Sequence, residues 1–322
     1  MRMPKPRGAL SEWVVARLGV TAPAVARGQA PAPDSTDDGA IALWTLHELS
    51  YRGFEDAADR AERDPEVVVV RHRLEDALEQ TLRERWAGHG PRLAAPAPAG
   101  VPQALEALVA ADEGRSLADH VRRRADVDQV LEMLRQRSVY QLKEADPTTW
   151  VVPHLPVRAK AALMEVQFDE YGNGDPNRLH AHLFARGMES VGLRSEYGAY
   201  VDDALPATLE LNNALSLFGM QRRLRGAAMG HLAAFEMTSS IPARKIAQGL
   251  DRLGLGGAMV GYYDEHVEAD AIHEQLAAHD ICGTLAQDEP DQAAEILFGA
   301  FTCLDLESRV AEALFAEWGV DA

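Results

Sequence analysis

Apolar residues recur at spacings of three and four along most of this sequence, which is the pattern of helices that bury one face. The spacing is clear over residues 40–54, 68–86 and 102–138, whereas the period-two alternation of a half-buried strand never persists. β-Branched residues cluster only in the run "VVVV" at 67–70. The chain is therefore predicted to be all-α, and its several long amphipathic helices with short connections predict a helical bundle.

Stretches rich in proline and alanine interrupt this pattern at residues 20–38 and 89–102. The first stretch has no periodicity, so we predict a disordered lead-in over residues 1–38. The second stretch is predicted to be a long loop inside a single helical domain that covers residues 39–322.

Glycines indicate where helices of the second half bend or end. A long helix is predicted over residues 203–240, with a bend near Gly219 or Gly226. A separate helix is predicted to follow it and to end at Gly254.

Charge and composition exclude several classes of function. The formal net charge of −18 argues against binding to nucleic acid or to an anionic membrane surface. No run of 18 apolar residues is present, so no transmembrane helix is expected. The basic first residues are not followed by the apolar core of a signal peptide, and Cys282 and Cys303 form no motif. We therefore expect a cytoplasmic protein with reduced thiols.

The segment "HVEADAIHE" places His266, Asp270 and His273 on one face of a predicted helix. At about 100° per residue the three side chains fall near 0°, 40° and −20° of helical arc, so they point in one direction. Such a face is more often solvated than ligating. Here the intervening residues are mostly valine, alanine and isoleucine, which favours a metal site over an exposed surface.

Three further residues extend this group. Glu170 and Glu236 end apolar helical runs, where a carboxylate without a partner would be costly to bury. His180 follows a predicted chain reversal after Glu170, so these two side chains can meet. Three carboxylates and three imidazoles without a thiolate suit iron or manganese rather than structural zinc, and they suffice for two ions. The chain contains no Glu-x-x-His motif, so the ferritin-type arrangement is excluded.

The pattern Glu170-x9-His180, Glu236, His266-x3-Asp270-x2-His273 resembles that of the heme-oxygenase-like di-iron oxidases and oxygenases, often called iron-containing redox enzymes. The segments "DEYGNG", "HLFARGM" and "LFGMQRRLRGAAMGHLAAFEMTSS" are also similar to an actinobacterial branch of that family. The resemblance implies a bundle of about seven core helices. It also implies that residues 140–315 bind metal and that extra N-terminal helices over residues 39–139 pack on them.

The same resemblance implies two ferrous ions held by the six residues, with dioxygen as co-substrate. Relatives oxygenate amine or guanidine nitrogen, decarboxylate fatty acids, or cleave amino acids or an aromatic cofactor precursor. The expected function is oxidation of a small organic substrate, either an amino-acid-derived amine or a fatty-acid-like molecule. An external reductase or ferredoxin is the expected electron donor, and a homodimer is left open. Some members that oxygenate nitrogen share a further carboxylate upstream, for which Glu144 is the nearest candidate.

Two other functions remain open at this point. An iron-binding bundle without turnover would carry the same ligands. A heme-binding or heme-degrading protein of the same fold would need a proximal histidine early in the first core helix and no acid at Glu236 or Asp270.

Several neighbouring polar residues are expected to have other roles. His182 lies two positions from His180, so a helix cannot direct both toward one metal ion, and His180 is preferred. Acidic residues beside the ligands are expected to be solvated or to orient ligand imidazoles; they are Glu165, Asp169, Glu265 and Glu268. The basic cluster of Arg222, Arg223 and Arg225 is expected to pair with surface acids rather than with a substrate.

Overall fold

The computed structural model describes residues 1–20, 28–89 and 97–320, without the side chains of residue 89 and of residues 268–272. Within these ranges the only strand-like feature is one antiparallel bridge between Gly19 and Ala57, which confirms the all-α prediction. The α-helices are, in chain order, α1 Ala9–Leu18, α2 Thr36–Glu48, α3 Pro65–His89, α4 Val101–Ala110, α5 Leu117–Arg123, α6 Val127–Gln141, α7 Asp146–Thr149, α8 Val157–Glu170, α9 His180–Ser190, α10 Pro206–Met220, α11 Arg225–Arg252, α12 Ala258–Gln275, α13 Thr284–Asp288 and α14 Gln292–Glu317. In the described part of the chain, no helix combines the length and the apolar character needed to cross a membrane.

The largest apolar core is shared by α4–α6 and α8–α14, and α11 packs most extensively against α14 and α12. Glycine allows the closest of these approaches. A Cβ atom at Gly230 of α11 would lie 1.8 Å from the carbonyl oxygen of Ile296, and one at Gly299 of α14 would lie 1.9 Å from that of Ala227. These two helices therefore touch backbone to backbone, and α11 is the central element of the bundle.

The N-terminal helices form a second apolar cluster and attach to the bundle through α2, which packs against α10. The expected disorder over residues 1–38 is wrong for α1, because Leu10 and Val14 are fully buried. The carboxylate of Asp38 accepts hydrogen bonds from the backbone N–H groups of Leu10 and Ser11, at 3.1 and 2.8 Å. An acidic side chain from α2 thus caps α1 across sequence, which local composition does not reveal.

The long helix predicted over residues 203–240 is wrong as a single element. The chain leaves helical geometry at Gln221 and makes a 3₁₀ turn before α11 begins at Arg225. Helix α11 then continues through Pro242, although proline removes one intrahelical hydrogen bond. The break at 221–224 lies between Gly219 and Gly226, where a bend was predicted. A Cβ at Gly219 would lie 2.3 Å from the Pro147 carbonyl oxygen, so the end of α10 packs closely against that segment.

Candidate metal centre

The reversal between α8 and α9 brings Glu170 and His180 together. Glu170 is the last residue of α8 and His180 is the first of α9. Between them Gly172, Asn173 and Gly174 all adopt positive φ, at 71°, 55° and 83°. This tight left-handed turn lets His180 Nδ1 lie 3.1 Å from Glu170 Oε2.

The other candidates come from α11 and α12, which pack along each other. Glu236 lies within α11, and His266 and His273 lie two turns apart on α12. All three side chains are buried. The side chain of Asp270 lies outside the described residues, so its predicted place as a ligand stays a prediction.

Two adjacent clusters result from this packing. Glu144, His180 and His266 form the first cluster, and Glu170, Glu236 and His273 form the second. In each cluster, one potential ligand atom per residue lies within 4.8 Å of the others. The two clusters adjoin through the contact of His180 with Glu170. Within the first cluster, the ring centroids of His180 and His266 are 4.8 Å apart.

Several potential ligand atoms in the clusters make no hydrogen bond to a described residue, as is typical of atoms that bind a cation. His180 is 1% exposed, and neither of its ring nitrogens makes a hydrogen bond of acceptable geometry to a described residue. Glu170 Oε2 is likewise buried without such a bond. Buried polar atoms are rarely left in this state unless an ion or water satisfies them. Carboxylate and imidazole donors are those that iron and manganese accept.

Each of two histidines has one nitrogen held by the protein and the other directed into a cluster. His266 Nδ1 lies 2.9 Å from the backbone oxygen of Tyr262, and its Nε2 lies 3.4 Å from Glu144 Oε1. His273 Nε2 lies 3.1 Å from Asp169 Oδ2, and its Nδ1 lies 3.6 Å from Glu236 Oε2. This arrangement is typical of imidazoles that bind metal, whose second nitrogen donates to a carboxylate or carbonyl.

The electrostatics of the clusters favour positive charge. Burial lowers the pKa of His273, but the hydrogen bond and charge of Glu236, with those of the other nearby carboxylates, raise it to about 9. Burial likewise lowers the pKa of His180, yet the charge of Glu170 raises it overall. Burial raises the pKa of the Glu170 carboxyl, and the three surrounding imidazoles more than reverse that effect. Protonated imidazoles here offset the negative charge of the carboxylates, and metal ions at the same atoms would offset that charge more strongly.

Glu144 is the residue for which the sequence signal was weakest. It follows α6 in a turn, is 6% exposed, and accepts hydrogen bonds from the Tyr262 hydroxyl at 3.0 and 3.1 Å. The structure places it with His180 and His266 in the first cluster. Nothing local in "QLKEADPTTW" marks it, and only its neighbours from α9 and α12 give it this place.

The competing residues lie elsewhere. His182 is exposed and His231 is buried outside both clusters. Arg225 pairs with the partly exposed Glu289, as expected, whereas Arg223 pairs with Glu79, which is buried rather than at the surface.

Comparison with known proteins agrees with this geometry. Residues 131–308 match a protein family described as iron-containing redox enzymes. A nitrosourea synthase from Streptomyces achromogenes subsp. streptozoticus is 31% identical over 151 residues, which is 47% of this chain and 32% of that protein. The matched part is thus about a third of the length of that curated relative.

Two crystal structures of a CADD-like protein of unknown function from Nostoc punctiforme are also similar. Both are 16% identical in sequence, with TM-scores of 0.49 and 0.47, and each alignment covers 76% of this chain and 97% or 95% of the other. The family match spans more than half of the chain and includes every candidate ligand. The protein therefore belongs to the family of iron-containing redox enzymes, which have a helical, heme-oxygenase-like fold.

Proposed function

We propose that this protein is a non-heme di-iron oxygenase that uses dioxygen to oxidise a nitrogen atom of a small organic substrate. The pairing of two adjacent three-residue clusters carries the proposal, since each holds carboxylate and imidazole groups in ligand range of one another. Two metal ions held in adjacent clusters can act on the same substrate.

One iron ion would be held by each cluster: Glu144, His180 and His266 for the first, and Glu170, Glu236 and His273 for the second. Asp270 remains a proposed ligand, because it shares a helical face with His266 and His273. Bound iron(II) would supply electrons that reduce dioxygen. An external reductase or ferredoxin would return electrons to the protein after turnover.

The side chains around the clusters would set how the ions are held. Tyr262 donates to both oxygens of Glu144 and so restricts the rotation of that carboxylate. Asp169 fixes the ring of His273 through its Nε2. Such contacts orient ligands and raise metal affinity. Tyr140, whose burial raises its pKa well above the usual value, stays a neutral phenol beside the acids of the site.

A cavity of about 240 Å³ leads to the first cluster, and Glu144, Tyr262 and His266 form part of its wall. The apolar side chains of Phe235 and Ile246 line it as well. We infer that substrate binds here. A largely apolar wall would exclude water from the reacting group, so that the oxidant meets the substrate.

Oxidation at nitrogen is favoured over other chemistry by two observations. Glu144, the nearest candidate for the upstream carboxylate of some nitrogen-oxygenating members, lies with His180 and His266 in the first cluster. The curated relative is named a nitrosourea synthase, whose product contains an oxidised nitrogen.

Anaerobic loading with iron(II), followed by metal analysis, tests the proposal first. We expect two iron ions per chain, and about one in Glu144→Gln and in Glu236→Gln, because each variant removes a charged ligand from a different cluster. His182→Ala is the matched control: its imidazole is exposed on the same helix as His180, and the variant should keep both ions.

Oxygen consumption with candidate amines then separates turnover from storage. Repeated consumption with formation of an N-oxygenated product supports the proposal. A single oxidation event with no product would instead indicate an iron-binding protein without turnover. A Soret band at stoichiometric heme would support the heme-binding alternative and count against the di-iron centre.

A further inference from the structure

Glu144 occupies a turn, whereas the other described candidate ligands lie on helices. Helix α6 ends at Gln141 and α7 begins at Asp146, so Glu144 is in the connection between them. The helical ligands are Glu170, His180, Glu236, His266 and His273. A helix fixes its residues through local hydrogen bonds, but a turn needs contacts with other segments to keep one position.

The end of α2 binds the two residues that precede this ligand. The ammonium group of Lys143 forms an ion pair with the carboxylate of Glu48, and the two side chains are 2% and 0% exposed. The Lys143 Nζ atom also lies 4.3 Å from the centre of the Tyr51 ring. The Arg52 guanidinium donates a hydrogen bond to the backbone oxygen of Leu142 at 3.2 Å. An ion pair and a hydrogen bond thus connect the N-terminal helices to the start of the turn.

Lys143 and Glu144 contact different helices, although they are consecutive in the chain. Glu144 accepts hydrogen bonds from the Tyr262 hydroxyl of α12, whereas Lys143 faces α2. At the far end of the turn, the carboxylate of Asp146 accepts a hydrogen bond from the Tyr171 hydroxyl at 2.7 Å. The end of α2 therefore fixes the start of the turn, and the residue after α8 fixes its end.

A buried ion pair contributes little to stability by itself. Removing an ammonium and a carboxylate from water costs free energy that their attraction only partly returns, and apolar residues of similar volume are often at least as stable. The pair differs from an apolar contact in its geometry, because each buried charge must keep its partner. It therefore restricts Lys143, and with it the next residue of the turn, more narrowly than apolar packing would.

We propose that the end of α2 positions Glu144 in the metal centre before iron binds. Glu48 and Arg52 act as positioning residues, because they fix the turn in which Glu144 faces the imidazoles of the first cluster. The inference rests on the proposed function, in which Glu144 is a ligand, and it makes the N-terminal helices part of that site. When the turn is in place in only a fraction of molecules, iron affinity at the first cluster falls by that fraction. The second cluster takes no ligand from this turn, so its affinity should be independent of α2.

Hydrogen exchange of the iron-free protein measures the order of the turn directly. The double variant Glu48→Gln/Lys143→Met removes both charges and leaves neither buried alone. We expect the backbone amides of residues 142–146 to exchange about tenfold faster in this variant than in the wild type, since the turn opens more often. Because exchange in a turn proceeds by local opening, a change in global stability alone should not accelerate it.

Glu75→Gln is the matched control. Glu75 is 2% exposed and also pairs with a residue of α2, since its Oε1 lies 3.1 Å from His47 Nε2. It contacts Arg71 and Gln221 as well, and none of these three partners belongs to the turn. This variant should perturb the packing of α2 and leave the exchange of residues 142–146 unchanged.

Anaerobic iron(II) titration tests the consequence for the metal centre. We expect the double variant to bind one of its two ions about 10- to 100-fold more weakly and the other as tightly as the wild type. Arg52→Met should act in the same direction to a smaller extent, because it removes one hydrogen bond. In the Glu144→Gln background, the double substitution should have no further effect on iron, because the ligand that it positions has already lost its charge.

An unchanged exchange rate at the turn in the double variant would overturn the inference, as would equal losses of iron affinity in the double variant and in Glu75→Gln. A further loss in the Glu144→Gln background would also overturn it, because α2 would then act on the site by another route. A wild-type protein that binds fewer than two iron ions would refute the proposed function and this inference with it. Two bound ions together with unchanged affinities in the double variant would refute only the positioning role of α2.

Discussion

Gly172 begins the reversal that holds Glu170 of α8 against His180 of α9. Its φ of 71° is in the left-handed region, where a residue with a Cβ atom is strained by about 1–2 kcal/mol. A Cβ at this position would also lie 2.6 Å from the backbone nitrogen of Leu179 and 2.7 Å from the carbonyl carbon of Arg178. Because both contacts are with backbone, no side chain can rotate away, and the reversal itself must open.

We therefore expect Gly172→Ala to lower the free energy of unfolding by about 2–4 kcal/mol, combining the strain of positive φ with the cost of crowding. Gly174→Ala is the matched control, since Gly174 has a φ of 83° but nothing within 4 Å of its Cβ position. The control should lose only about 1 kcal/mol, because alanine also restricts the unfolded chain.

Urea unfolding of the iron-free and iron-loaded forms measures both effects. Iron should stabilise the wild-type protein and Gly174→Ala by similar amounts, because bound ligand adds stability according to its affinity. It should stabilise Gly172→Ala less, since opening the reversal separates Glu170 from His180. Equal losses in the two alanine variants, or an unchanged effect of iron in Gly172→Ala, would refute the assignment of this turn as the element that aligns the two clusters.

Three other perturbations follow from the site and its surroundings. The raised pKa of His273, about 9, means that iron must displace a proton at neutral pH, so apparent iron(II) affinity should rise by up to about tenfold per pH unit as pH approaches 9; anaerobic titrations that show no pH dependence would contradict this. Tyr262→Phe should lower iron affinity by about 10- to 100-fold without altering the helical circular dichroism, because Glu144 loses the hydroxyl that orients it. Lys143→Met should lower the free energy of unfolding by about 3–5 kcal/mol. Lys143 and its ion-pair partner Glu48 are 2% and 0% exposed, so the carboxylate would be left buried without its counter-charge. The double variant Glu48→Gln/Lys143→Met should recover part of that loss in the same urea assay.

Residues on one regular helix were predictable because their relative positions depend only on helical geometry. His266 and His273 share a face by spacing alone, and the structure buries both. The glycine-rich segment after Glu170 likewise predicts a reversal, and its positive φ angles agree with that prediction. In each case the local geometry depends only on residues that are close together in the sequence.

Features that depend on contacts between distant segments were missed. Helix α1 was predicted to be disordered, although it is buried by α2 and capped by Asp38. The helix was expected to end before Pro242, but Pro242 lies inside α11, and only the interruption at 221–224 falls near the predicted bend. Proline and glycine preferences amount to a few kcal/mol at most, and packing in a large core can exceed them.

The amino-acid sequence by itself determined that this chain is helical and that two imidazoles on one helix face the same way, because both follow from local periodicity. It also determined which carboxylates stand in apolar runs and therefore need partners. Only the tertiary structure decided that Glu144 joins His180 and His266, and that Lys143 meets Glu48. Those groupings join residues from separate segments, whose proximity is set by how α2, α9 and α12 pack against the rest of the bundle rather than by any local pattern.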